Sequence, residues 1–277
     1  MLFNRKVNME TTNLPGNSDK RSALIATLQE VFTSQDTGSP IFSYRDFIPV
    51  VTAHFTNEGI RLGENALGIK CFCRDDNQDQ IGNLLTGIGR SSGWFDMNAF
   101  GAYPAGRSLE SFEPPSHHIP QLQGSPWTVV FHATHVGCDS NYTLGMTERY
   151  NMRNPGASCG LLASILNRDS DRRKGKYVPF FKDYEMHETE ISLMPYLDEI
   201  KKSAHPMAAA AEKVFDLGSG MFETILREND IPSFYVGGIN IDNDAVDAGN
   251  NYFILKTAYI FKERQKRKIE IREPGLY

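Results

Sequence analysis

Apolar residues Leu24, Leu28, Val31 and Phe32 recur at helical spacing behind Ser18 and Asp19, either of which can cap the helix they predict. A second helical pattern starts near Ser43 and runs through Ile48, Val51 and Phe55 to Gly59. The period then changes. Leu67-Gly-Ile-Lys-Cys-Phe-Cys73 is a short, almost continuous apolar run, which reads as a buried strand with cysteines at its end. Residues 78–88 return to a helical pattern, and residues 89–115 are rich in Gly, Pro and aromatics without any period. A segment of that length in a compact domain is usually functional or lid-like. Trp127 to Gly137 is a second strand, followed by an irregular stretch to Ala157. A helix opens at Ser158-Cys-Gly160, with Leu161, Leu162, Ile165 and Leu166 on one face. Two further helices, roughly His187–Ser203 and Pro206–Glu228, lead to a third strand, Ser233 to Ile241, and a strand-rich tail. Strands alternating with helices predict an α/β layer fold with a largely parallel sheet, whose ligand crevice lies beyond the carboxyl ends of the strands. No repeat or linker interrupts the pattern, so residues 1–277 read as a single domain, with 1–17 as a flexible N-terminal segment.

Composition narrows the class. With 40% hydrophobic and 23% charged residues, the chain can bury a full core in the ordinary globular manner. The net charge of −5 argues against a nucleic-acid partner. The one basic run, Lys262-Glu-Arg-Gln-Lys-Arg-Lys268, reads as a solvated face. No apolar run reaches the ~18 residues of a membrane span, and the first twenty residues lack a signal-peptide core. Four cysteines in 277 residues are too few for a disulfide framework. The expected compartment is therefore the reducing cytoplasm, or a plastid if a transit peptide has been removed.

In that setting cysteines are candidates for chemistry. Cys73 ends one strand, His135 lies at the end of the next, and Cys159 opens a helix. If the two strands are parallel neighbours, all three groups converge on one sheet edge. Two thiolates and an imidazole form a normal zinc shell with a fourth position left for water, and a helix N-terminus favours a thiolate at Cys159. The spacing is irregular, and free cysteines are often only small core residues. Cys138, in His135-Val-Gly-Cys138, suits the same shell and competes with Cys159. Cys71 shares a strand face with Cys73 and reads as core one layer down; a bridge between them is strained in an extended strand. His132 faces away from His135 and reads as a core histidine. His117 and His118 form either a surface turn or part of a cleft able to move protons.

The order of motifs adds a family. Cys73-Arg-Asp75, Ala99-Phe-Gly-Ala-Tyr-Pro-Ala-Gly106, Phe112 through Ser116-His-His-Ile-Pro120, His135-Val-Gly, Ser158-Cys-Gly-Leu-Leu and Gly237-Gly-Ile-Asn-Ile241 follow one another along the chain. In this it resembles the limiting-CO2-inducible protein B/C family, the theta-class carbonic anhydrases. The resemblance implies a Rossmann-like, mainly parallel sheet flanked by helices, as in beta-class carbonic anhydrases, and a homodimer. It also implies zinc held by Cys73, His135 and Cys159, and reversible hydration of carbon dioxide to bicarbonate by zinc-bound hydroxide. The Cys-Gly at a helix start selects Cys159, whereas the three-residue spacing of beta-class enzymes selects Cys138. Asp75 is the candidate acceptor for the hydroxide's hydrogen bond, with Arg74 holding it ionised. Adjacent strand residues face opposite ways, so that pair requires the strand to have turned by then; Arg107 is the substitute. The resemblance also admits a non-catalytic zinc- or bicarbonate-binding partner protein in a carbon-concentrating assembly.

Overall fold

A computed structural model of the chain describes residues 17–32, 39–73, 94–98, 102–104, 126–148, 154–172, 184–243, 246–247 and 250–272. Helix α1 (Asn17–Phe32) is followed by strand β1 (Ile41–Ser43) and α2 (Tyr44–Asn57). Ser43 caps α2: its hydroxyl accepts the Asp46 backbone N–H at 3.2 Å and donates to the Asp46 carboxylate at 2.6 Å. This satisfies one of the orphan donors of the first turn. Strands β2 (Ala66–Phe72), β3 (Trp94–Asp96) and β4 (Trp127–Gly137) come next. They are followed by a small hairpin of β5 (Met146–Thr147) and β6 (Gly156–Ala157), and by α3 (Gly160–Arg172). The second half holds α4 (Tyr184–Leu193), α5 (Leu197–Lys202), α6 (Pro206–Glu228), β7 (Ser233–Asp242), β8 (Tyr252–Lys262) and β9 (Gln265–Lys268).

The sheet runs in the order β1-β8-β7-β4-β2-β3, with β9 added to β8. Its β3-β2-β4-β7 portion is parallel, and β8 returns antiparallel along β7 before pairing with β1 and β9. Helices cover both faces. On one face Phe47, Val51 and Phe55 of α2 pack on Val129, Phe131 and Phe234. On the other, Phe222, Ile225 and Leu226 of α6 cover Ile69, Val130 and Tyr235. Further along that second face, Ala208, Ala211 and Val214 join α1, α3 and the strand residues Val136, Ile239 and Ile241. Strand β4 is buried along its whole length, which is why its sequence shows no polar alternation.

Two expectations change. The stretch read as one helix over His187–Ser203 is α4 and α5 separated by a 3₁₀ turn, Met194–Tyr196. Pro195 lacks an N–H and disfavours helical geometry in the residue before it. The apolar spacing gives no warning, because Leu193, Leu197 and Ile200 all stay buried across the break. Within the aperiodic segment 89–115 lies β3, whose three residues pair with Gly68, Ile69 and Lys70. The expected helix over 78–88 lies outside the described residues, as does the N-terminal segment up to residue 16. The basic run forms the end of β8, a two-residue turn with Glu263 and Arg264 both at positive φ, and β9. Its Lys266 and Arg267 pair with Glu223 and Glu58 at 2.5 and 2.6 Å. Among the described residues no helix is long and apolar enough to cross a membrane.

Candidate metal centre

The parallel pairing of β2 and β4 ends with Phe72 opposite Ala133. Cys73 directly follows Phe72, and His135 lies two positions beyond Ala133. Cys159 immediately precedes α3, and its carbonyl accepts the Ala163 N–H at 3.1 Å, as the first turn of a helix requires. Its thiol therefore stands at the positive end of the helix dipole. All three residues are buried, and one ligand atom from each lies within 4.8 Å of the other two. The Cys73 and Cys159 sulfurs are 3.9 Å apart.

His135 Nε2 donates to the Ser158 carbonyl oxygen at 2.9 Å. A carbonyl only accepts, so this contact places the ring proton on Nε2 and leaves the Nδ1 lone pair as the donor atom. The Cys73 thiol is pushed well above its ordinary range, first by its hydrogen bond with the Cys159 thiol and then by burial, with His135 acting in the opposite direction. Ionising Cys73 in that setting needs a cation beside it. A divalent metal removes that obstacle by displacing the protons.

Cys138 is not brought into this cluster. It forms an isolated bridge with Leu144, and its sulfur faces the Asp139 carbonyl at 3.8 Å. Burial, with the Asp139 carboxylate adding to it, pushes the Cys138 thiol up to about 12. Cys71 lies in the core beside Ile69, Val130 and Phe222, its sulfur 3.6 Å from the Ala102 carbonyl oxygen. His132 is also a core residue. Its Nε2 donates to that same carbonyl at 3.0 Å, its Nδ1 accepts from the Tyr235 hydroxyl at 2.8 Å, and its ring stacks on Phe215. Burial pushes its imidazole down to about 4, against a small upward pull from the Ala102 contact. Arg74, Asp75, Arg107, His117 and His118 lie outside the described residues.

Sequence reasoning missed the Ser158 carbonyl that orients His135. A main-chain acceptor leaves no signature in side-chain type. The only pointer was the irregular run before a helix start, whose backbone groups must bond to something.

The fold and the sequence now place the chain. It superimposes on the crystal structure of PtLCIB4, a homolog of the limiting CO2-inducible protein LCIB, with a TM-score of 0.72 at 17% identity, covering 89% of this chain and 99% of that one. The crystal structure of LCIB itself gives a TM-score of 0.64 at 16% identity, over 88% of this chain and 98% of that one. No curated protein sequence matches closely enough to count as a relative. The sequence profile of the limiting CO2-inducible proteins B/C beta carbonic anhydrases matches residues 42–262, and the chain belongs to that family.

Proposed function

We propose that the chain is a zinc-dependent carbonic anhydrase, a single α/β domain acting as a homodimer, that interconverts carbon dioxide and bicarbonate. The observation that carries this reading is the buried Cys73, His135 and Cys159 cluster at the carboxyl edge of the parallel strands in a chain of carbonic-anhydrase family. The donor set fits zinc. Two zinc–sulfur bonds of about 2.3 Å meeting at a tetrahedral angle separate their sulfurs by about 3.8 Å, and the Cys73–Cys159 separation is 3.9 Å.

Zinc in such a shell supplies, from bound water, a hydroxide nucleophile near neutral pH. The chain's residues hold and orient. Cys73 and Cys159 would hold the zinc as thiolates and His135 through Nδ1, with the Ser158 carbonyl fixing the imidazole plane. Asp75, two residues beyond Cys73, is assigned to accept a hydrogen bond from the attacking oxygen and aim its lone pair at the substrate carbon. Arg74 or Arg107 keeps that carboxylate ionised. His117 and His118 are assigned to the cleft, where an imidazole carries protons to solvent.

The test is zinc content measured together with stopped-flow hydration of carbon dioxide. About one zinc per chain with rapid hydration supports the enzyme. Full zinc without hydration supports a bicarbonate-binding partner protein, and a chain that takes up no zinc refutes both.

A further inference from the structure

Among the motifs of this chain, His135-Val-Gly is only partly explained by a ligand at its first position. The glycine is also constrained. A Cβ on Gly137 would lie 2.5 Å from the Met146 carbonyl oxygen and 2.6 Å from the Ser158 Cβ. Real Cβ atoms essentially never approach so closely, so only a glycine lets the strand end lie against the Met146 backbone and the Ser158 side chain. The contact is part of a closed chain of hydrogen bonds. Gly145 N–H donates to the Gly137 carbonyl at 2.8 Å, and Ser158 N–H donates to the Gly145 carbonyl at 2.9 Å. Returning to the start, His135 Nε2 donates to the Ser158 carbonyl at 2.9 Å. The circuit begins and ends on β4, and Cys159 is the residue after Ser158.

Gly145 reaches Gly137 because the intervening chain doubles back. Asp139, 4% exposed, directs that return. Its Oδ1 accepts the N–H groups of Asn141 and Thr143 at 2.9 and 2.8 Å, and its carbonyl accepts from Tyr142 at 2.9 Å. Tyr142 takes a positive φ of 62° to complete the turn, and Leu144 then bridges back to Cys138. Gly145 itself sits at φ 90°, where a Cβ would fall 2.4 Å from the Met207 Cβ at the start of α6. The returning segment is therefore wedged between the strand end and a helix, with space for backbone alone.

We propose that Gly137, Asp139 and Gly145 are positioning residues of the metal centre. Through close packing at the two glycines and through the N–H groups held by the Asp139 carboxylate, they hold Ser158 and Cys159 in register with His135. This rests on reading Cys73, His135 and Cys159 as the ligands. It also accounts for a cysteine three residues after His135 that is not one of them, because Cys138 is consumed in closing the turn.

The test is the zinc affinity of the full chain by chelator competition. It is combined with the visible spectrum of the cobalt-substituted protein, whose thiolate-to-cobalt band reports ligand placement, and with circular dichroism to establish folding. Gly137→Ala and Asp139→Ala are expected to weaken zinc by about 10–100-fold, the usual loss when a group orienting a ligand is removed, and to shift the cobalt band. Asp139→Asn keeps an oxygen that accepts both N–H groups and restores affinity and band. Gly220→Ala, on an open stretch of α6 with nothing within 4 Å of the new Cβ, serves as the control with unchanged values. If Gly137→Ala does not fold, the two Asp139 variants decide. A folded Asp139→Ala with wild-type affinity and an unshifted band overturns the proposal. A wild-type chain that takes up no zinc sinks the underlying reading instead.

Discussion

Cys159→Ala and Cys138→Ala delete the same sulfur from equally buried positions, and the proposed centre gives them opposite consequences. Structural zinc sites bind with about 10–16 kcal/mol near neutral pH. Shared over the four protein ligands of such sites, that is roughly 2.5–4 kcal/mol for each. At about 1.4 kcal/mol per tenfold, Cys159→Ala weakens zinc by roughly fiftyfold to a thousandfold. Cys138 lies outside the cluster, its sulfur 3.8 Å from the Asp139 carbonyl oxygen. Its loss leaves a small void costing about 1 kcal/mol of stability and lowering Tm by about 2–4 °C. The assay is zinc competition against a chromophoric chelator, metal content after dialysis, and thermal unfolding of the same preparations. Zinc lost from Cys138→Ala and retained by Cys159→Ala would refute the reasoning, because no rearrangement within this fold exchanges a helix start for a turn at no cost.

Asp75→Asn keeps the side chain's shape but removes its charge; zinc stays bound and hydration falls about tenfold or more, in line with the loss of a group one step from the metal. Unchanged turnover makes Asp75 a surface carboxylate, and lost zinc makes it a ligand. Hydration rises with pH through about 7 to 8.5, since the nucleophile is the deprotonated form; a flat profile measured by stopped flow counts against that nucleophile. His132 makes the fold acid-sensitive. Above pH 6.5 it is neutral whether folded or unfolded, while below it the unfolded chain takes a proton that the folded chain refuses until about pH 4. Stability is therefore lost as pH falls across that window, by about 3 kcal/mol in all for this group. Denaturant titrations of His132→Asn show a shallower slope than wild type there, and identical slopes refute the assignment.

The sheet was legible wherever burial on both faces writes a long apolar run. Trp127 to Gly137 and Ser233 to Ile241 were readable almost to the residue, and α6 coincides with its apolar period. Strand β3 was not, because three residues carry no period, and neither was the break at Pro195, because the core continues across it. The choice between Cys138 and Cys159 could not be made from spacing alone, since sequence distance does not show a chain turning at Asp139 and returning through Gly145. Cys73 and His135 were visible as strand-end residues. Their convergence depended on β2 and β4 being parallel neighbours, which the alternation of strands and helices suggested and the register shows.

The two sulfurs of the centre are separated by 86 residues of chain, and the histidine comes from a third element between them. Such a site does not exist in a short folding fragment: it forms only after β2 has found β4 and α3 has docked, among the slow, non-local events of assembly. The apolar clusters around Phe47 and around Phe222 contain none of the three proposed ligands, so the order of events would differ from that of a zinc finger, where metal and fold arrive together. Loading of the proposed centre would then be a step that follows folding. Protein made in zinc-poor medium is expected to accumulate in its native shape and to become competent on later addition of the ion.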